Sequence, residues 1–84
     1  MQKNDYKSSI ETADYLRALI KTPGWNIIQK FLNNKREYYT QIALTEKDMS
    51  KILYAQAYVS VIDAIYFEIA ELVKQGEEAD KLKK

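Results

Sequence analysis

The sequence predicts an all-α protein, with a short N-terminal helix followed by a long antiparallel helical hairpin that is coiled-coil-like and oligomeric. The 84-residue chain has only two glycines and one proline, so its elements must be few and long. Hydrophobic residues make up 46% and charged residues 30%, which is typical of a folded chain rather than a disordered one. An unbroken heptad stripe lies at Ile52, Ala55, Val59, Ile62, Tyr66, Ile69 and Val73. Its alternating steps of three and four keep one face of a helix toward a partner.

The first helix is predicted over residues 9–21, after a polar segment, residues 1–7, that we expect to fray. Ser8 and Glu11 fit a capping box, in which the serine hydroxyl and the glutamate each accept a backbone N–H of the first turn. A helix of about three turns is too short to be stable alone in water, so it must dock on the rest of the chain.

The second helix is predicted over residues 23–44. Thr22 is the expected N-cap, because Pro23 disfavours helical geometry at the residue before it and is itself well suited to a first helical position. The polar run 33–36 interrupts the apolar stripe, but both flanks keep the same phase, so a continuous helix is favoured over a break.

The third helix is predicted over residues 46–75, with Thr45 as its N-cap and Gly76 as a left-handed terminator. Residues 77–84 are mostly charged and are expected to form a solvated tail. All three helices are assigned to one domain, 1–84.

The third helix carries more apolar surface than one neighbour can cover. A second row lies beside the heptad stripe, at Tyr54, Tyr58, Val61, Ile65 and Leu72. Helices 1 and 2 could cover both rows in a monomeric three-helix bundle, or the part from Ile62 to Val73 could be covered by another subunit. The second interpretation is favoured, because exposed apolar patches mark interaction sites and small chains gain stability by oligomerising. The predicted protein interface consists of Tyr58, Ile62, Ile65, Tyr66, Ile69 and Val73.

Composition argues against a catalytic role. The chain has no cysteine and no histidine, which removes thiolate chemistry, the commonest general base and the commonest zinc ligand. We therefore predict no enzyme activity, no catalytic residues, no metal and no cofactor. The formal net charge of +1 is far below that of a dedicated nucleic-acid binder. The expected function is that of a non-catalytic structural or adaptor protein that acts through helix–helix contacts. The alternative is a small nucleic-acid-binding regulator, in which Lys30, Lys35 and Arg36 would contact phosphates.

The sequence predicts a cytoplasmic protein. The N-terminal segment lacks the apolar region of a signal peptide, and no unbroken apolar run approaches the length of a membrane span. No membrane association is expected.

The segment from Leu16 to Gly76 has a layout with one distinctive corner, Thr22-Pro23-Gly24-Trp25. A helix with Ile28 and Leu32 follows that corner, and a second helix contains Ala55, Ile62 and Ile65 and closes at Val73-Lys74-Gln75-Gly76. This layout resembles the small helical-hairpin proteins encoded among the head and packaging genes of tailed bacteriophages. The resemblance implies a non-catalytic role in virion assembly, in the host cytoplasm or the virion. It also implies contacts with further copies of the chain or with a larger phage structural protein.

Overall fold

The computed structural model describes residues 3–83 of the chain, with side chains from Tyr6 to Leu82. Three α-helices follow one another: α1 (Lys3–Ile20), α2 (Pro23–Thr45) and α3 (Met49–Lys83). No strand occurs in the described range, so the predicted all-α class is confirmed.

Helix α1 begins earlier than predicted. The helix is already formed at Lys3, so the predicted start at residue 9 and the frayed segment are wrong for residues 3–7. Residues 1 and 2 lie outside the described residues. Ser8 and Glu11 lie inside the helix and form no capping box, because the polar residues before them continue the helix instead of ending it. The helix ends within one residue of its predicted end.

The corner between α1 and α2 is built as predicted. Thr22 has extended backbone geometry, and its Oγ1 accepts the backbone N–H of Trp25 at 3.1 Å, so it is the N-cap of α2. The same hydroxyl donates to the carbonyl of Leu19 at 2.7 Å and so ties the last turn of α1 to the first turn of α2. Helix α2 then continues without a break to Thr45.

The connection to α3 differs from the prediction. Thr45 is the last residue of α2, where its hydroxyl donates to the carbonyl of Gln41 at 2.7 Å, so it does not cap α3. The carboxylate of Glu46 accepts the backbone N–H groups of Lys47 and Asp48, at 3.0 and 3.2 Å, in the non-helical connection. Asp48 takes the capping role, because its Oδ1 accepts the N–H of Ser50 at 2.9 Å.

Helix α3 does not end at Gly76, and the predicted solvated tail is wrong for residues 77–83, which are helical. Lys84 lies outside the described residues. Gly76 has no positive φ, so it does not serve as a left-handed terminator. Instead it permits close packing: a Cβ placed there would lie 2.2 Å from Cβ of Ala13 and 2.7 Å from the carbonyl oxygen of Ser9. The 35-residue helix is about 52 Å long.

Helices α1 and α2 pack on different parts of α3 and contact each other far less than either contacts α3. Helix α1 meets the C-terminal part, where Arg17 forms an ion pair with Glu77 at 3.2 Å. Helix α2 meets the N-terminal and central part, in three contact pairs: Trp25 with Tyr66, Arg36 with Asp63, and Tyr39 with Tyr58. The protein is elongated, with principal dimensions of 55 × 29 × 14 Å.

Candidate protein interface

The interior of the chain is small. Among the described residues, the buried hydrophobic side chains are Ala13, Trp25, Ala55, Ile62 and Ala79. Three of these are alanines, and Ile62 is the largest side chain that is fully buried. The shortest dimension, 14 Å, equals the depth of two packed helices, since helix axes lie about 8–10 Å apart and Cα atoms about 2.3 Å from each axis. Much of each helix therefore has no neighbour within the chain.

The surface of the chain is correspondingly large. Its accessible area is 6531 Å², whereas a compact monomer of 9.8 kDa exposes about 5,200 Å². The radius of gyration is 17.2 Å, against about 12 Å for a compact domain of this length. The excess area of about 1,300 Å² exceeds the roughly 800 Å² that each partner contributes to a standard protein interface.

A cluster of four tyrosines lies where α2 meets the N-terminal part of α3. The ring of Tyr39 stacks on Tyr58 with centroids 4.0 Å apart, and it meets Tyr38 and Tyr54 at steeper angles, at 5.1 and 5.9 Å. Burial, together with the neighbouring phenols, raises the pKa of Tyr39 above its ordinary value. The cluster therefore presents a largely apolar surface with polar edges.

An apolar face extends from this cluster along both helices. We call it the α2–α3 face, and its six most exposed large residues are Ile28, Phe31, Tyr38, Tyr54, Val61 and Ile65. One groove between the helices is lined by Tyr38, Tyr39 and Tyr54, and the next one along α3 is lined by Tyr54, Tyr58 and Val61. Tyr54 lines both grooves, and Tyr38 and Tyr39 of α2 line the first one, so both helices contribute to the surface around Tyr54.

The other side of the same helix pair carries an ion pair. Two nitrogens of Arg36 donate to the two carboxylate oxygens of Asp63, at 2.7 and 3.1 Å. The hydrogen bond from Arg36 lowers the pKa of Asp63 below its ordinary value, and the same bond raises the pKa of Arg36. A further groove on this side is lined by Asn33, Arg36, Glu37, Thr40 and Gln41. An apolar groove lined by Ala43, Leu44 and Val59 lies on this side as well, so what distinguishes the two sides is the ion pair on one and the tyrosine cluster on the other.

The six predicted interface residues differ in how far their own chain buries them. Ile62 is only 2% exposed, so its side chain is covered by its own chain. Tyr58 and Tyr66 are partly covered: Tyr58 stacks on Tyr39, and the Tyr66 ring lies edge-on to Trp25 at 6.4 Å.

Ile69 and Val73 are partly covered, whereas Ile65 is 39% exposed. Whether the six residues contact a partner stays a prediction. One group of exposed apolar side chains lies on the second row of α3 and on the matching flank of α2, and others, including Leu44 and Phe67, lie elsewhere on the surface. In the sequence, the helical spacing of Ile28, Phe31 and Tyr38 indicates that these three residues share one side of α2.

The three basic residues of the alternative nucleic-acid site do not gather into one patch. Arg36 pairs with Asp63, while the ammonium group of Lys35 lies 5.7 Å from the ring centroid of Phe31. Lys30 is exposed, and at 100° per residue it lies about 120° around the helix from Arg36. This arrangement offers no continuous track of cations for a phosphate backbone.

Helix α3 is apolar on average, although its sequence contains no long unbroken apolar run. Its segment Met49–Leu82 is long and apolar enough to cross a membrane, by length and composition. Core helices of water-soluble proteins meet the same criterion, but only 11% of its most apolar stretch is buried within this chain. Most of that stretch is therefore not buried by the other helices of the chain.

Within residues 3–83, no group of three or more His, Cys, Asp or Glu side chains is arranged to hold a metal ion. No family model matches the chain, and no curated protein and no solved structure is significantly similar to it. The geometry of the surface is therefore the basis on which a function can be proposed.

Proposed function

We propose that this chain is a non-catalytic structural or adaptor subunit that acts through helix–helix contacts and associates with itself. The observation that carries this proposal is the large apolar surface that the chain leaves uncovered. Exposed apolar patches of this extent on a folded protein mark interaction sites.

The proposal includes an antiparallel hairpin formed by α2 and α3. In the contact pairs between the two helices, residue numbers on α3 fall as those on α2 rise: Trp25 contacts Tyr66, Arg36 contacts Asp63, and Tyr39 contacts Tyr58. A connection of three residues, 46–48, is short enough to join neighbouring helices that run in opposite directions.

Stability also favours association. A domain below about 80 residues rarely obtains more than 3–5 kcal/mol from its core, and a chain of 84 residues lies close to that size. Here the buried set is dominated by alanines, and burying a methyl group contributes much less than burying a leucine or phenylalanine. Cover of the exposed side chains by a partner would supply the missing apolar burial.

A role in phage particle assembly remains a proposal, supported by the sequence resemblance at the Pro23-Gly24-Trp25 corner. In that setting the partner would be another copy of this chain or a larger structural protein of the particle, met in the host cytoplasm or the virion.

The test is a measurement of molar mass by light scattering after gel filtration, across two orders of magnitude in protein concentration. We expect a mass above 9.8 kDa and a thermal unfolding midpoint that rises with concentration, because association stabilises the folded state by mass action. A monomer at every concentration, with a constant unfolding midpoint, would contradict self-association.

A further inference from the structure

We infer that the α2–α3 face is a homodimer interface, in which the face of one chain packs on the same face of a second copy. This inference rests on the proposed function, and it adds the surface, the partner and the symmetry. It places the interface away from Ile62, Ile69 and Val73, toward the exposed second row of α3 and the matching flank of α2.

The composition of the face suits a protein partner. Its members are half-exposed aliphatic and aromatic residues, with exposed fractions between 39% for Ile65 and 62% for Tyr54. Tyrosine is over-represented among residues that dominate binding energy, because its ring is large and its hydroxyl can still reach a polar partner. The acidic residue of the central ion pair, Asp63, lies on the other side of the helix pair.

The symmetry of the contact is compatible with the charges. In a twofold contact the same surface of each chain forms both sides of the interface. A cluster of charges of one sign would therefore face its own copy and be repelled. Lys35 is a positive charge on the flank of α2 that carries this face, and its ammonium group lies over the ring of Phe31, where the ring quadrupole attracts it. The groove beside Tyr38 and Tyr54 is lined by both Glu46 and Lys51, so the face carries charges of both signs and no concentration of one sign.

The area is sufficient for a second copy of this chain. The excess surface of the whole chain, about 1,300 Å², is large enough to include the roughly 800 Å² that one partner buries in a standard interface. A second α2–α3 pair laid on the face would give a four-helix arrangement, with the tyrosine cluster and the apolar grooves between the two pairs. Such an arrangement has the two-layer packing that stable helical domains use.

The experiment compares Val61→Asp with Leu44→Asp by sedimentation velocity. Both side chains are exposed, 60% for Val61 and 74% for Leu44, so neither change should unfold the monomer. Val61 is on the α2–α3 face, whereas Leu44 lines a groove on the other side, and that groove also contains Ala43 and Val59, so the control tests an apolar site of similar exposure. We expect Val61→Asp to raise the dissociation constant of the dimer at least tenfold and Leu44→Asp to leave it unchanged, with helical circular dichroism retained in both.

The two possible failures are distinguishable. If the wild type dimerises and both variants bind with the same affinity as the wild type, the assigned face is wrong but the proposed function stands. The same holds if only Leu44→Asp has a lower affinity. A wild type that is monomeric at all concentrations would overturn both.

A second measurement does not depend on a charged substitution. Because the chain has no cysteine, single changes Val61→Cys and Leu44→Cys give proteins with one thiol each. A short bis-maleimide should link Val61→Cys into a covalent dimer faster than Leu44→Cys. Equal rates, or faster linking at position 44, would contradict the inference.

Lipid is the competing occupant, since α3 meets the length and composition of a membrane span. Flotation with vesicles of phosphatidylcholine and phosphatidylglycerol separates the two. We expect the wild-type dimer to stay in the unbound fraction. Co-flotation of the wild type that Val61→Asp abolishes, with no dimer in buffer, would show that the face binds lipid and would overturn the inference.

Discussion

The two parts of α3 are covered by two different kinds of packing. Against α1, the backbone approaches closely because Gly76, Ala13 and Ser9 have small side chains or none. Against α2, the space between the helices is filled by aromatic rings, with Trp25 against Tyr66 and Tyr39 against Tyr58. Both contacts pack a helix on α3, but the solvent-exposed surfaces beside them differ.

Close packing of small residues leaves little room for a larger side chain at the contact itself, although Tyr15 and Leu82 nearby are 76% and 66% exposed. Aromatic packing holds the helices further apart and leaves ring faces and neighbouring aliphatic side chains exposed. Tyr38, Tyr54 and Val61 are each about 60% exposed beside the aromatic contact. We therefore expect the α1–α3 contact to serve the fold of one chain, and the α2–α3 contact to serve both the fold and association.

The largest effect is expected from truncating the best-buried side chain beside the aromatic contact. Ile62→Ala should lower the free energy of unfolding by about 2–5 kcal/mol, because it leaves a cavity where a 2% exposed isoleucine was packed. Chemical denaturation followed by circular dichroism measures the change. The control is Leu53→Ala on the same helix, which is 56% exposed and should cost much less. Similar losses in the two variants would show that the aromatic contact has no defined interior.

The close contact between α1 and α3 is tested by its glycine. Gly76→Ala should lower the free energy of unfolding by about 1–3 kcal/mol, because the new methyl group would collide with Ala13 and the carbonyl of Ser9. Gly24→Ala is the matched control: its nearest neighbour would be Thr22 Oγ1 at 4.0 Å, and an unstrained change of this kind typically stabilises by about 0.4–1 kcal/mol. The thermal unfolding midpoints of the two variants, compared with that of the wild type, test this prediction. A Gly76→Ala protein at least as stable as wild type would mean that α1 does not pack closely on α3.

A smaller effect is expected from one hydroxyl of the aromatic contact. The hydroxyl of Tyr66 donates to Asn33 Oδ1 at 3.0 Å and lies 3.4 Å from the carbonyl oxygen of Gln29. Tyr66→Phe keeps the ring against Trp25 and removes these bonds, so it should cost about 0.5–1.5 kcal/mol. The fluorescence of the single tryptophan should report the same native environment in both proteins. A large spectral shift would mean that the hydroxyl, rather than the ring, positions this contact.

The smallest effect is expected from the exposed ion pair between Arg36 and Asp63. Because Arg36 lowers the pKa of Asp63 in the folded state, the pair stabilises the fold above the unfolded pKa of about 3.9, and this contribution is lost as pH falls through the folded pKa. The unfolding midpoint of wild type should therefore slightly exceed that of Asp63→Asn near neutral pH. We expect the difference to close in acid and to shrink in high salt. A difference that persists in strong acid would exclude the ion pair as its cause.

Local chemistry was readable from the sequence. The start of α2 was predicted to the residue, because Thr22 and Pro23 act within one turn and need no distant partner. The start of α3 was wrong, because Thr45 and Asp48 both have side chains that can cap a helix. The hydrogen bonds of Glu46 decide which of them does.

The sequence predicts the position of the apolar surface only in part. The second row of α3, including Tyr54, Val61 and Ile65, was recognised from its spacing, but its exposure was not. A helical pattern gives the angle at which a side chain leaves the axis, and it does not say which neighbour arrives there. The matching residues of α2, Phe31 and Tyr38, are apolar or aromatic, a type that a helix usually buries, but the structure leaves both more than half exposed.

Spacing, capping and composition are enough to show that the chain is helical, where its first corner lies, and that α3 carries more apolar surface than one neighbour can cover. These properties act within a few residues. The use of Gly76 and the side of α3 that stays open depend on how the helices pack. Glycine permits both a left-handed turn and a close contact, and the choice depends on α1, which is more than fifty residues away along the chain. The same packing of α1 along the C-terminal part of α3 leaves the α2–α3 face as the surface where we expect a partner.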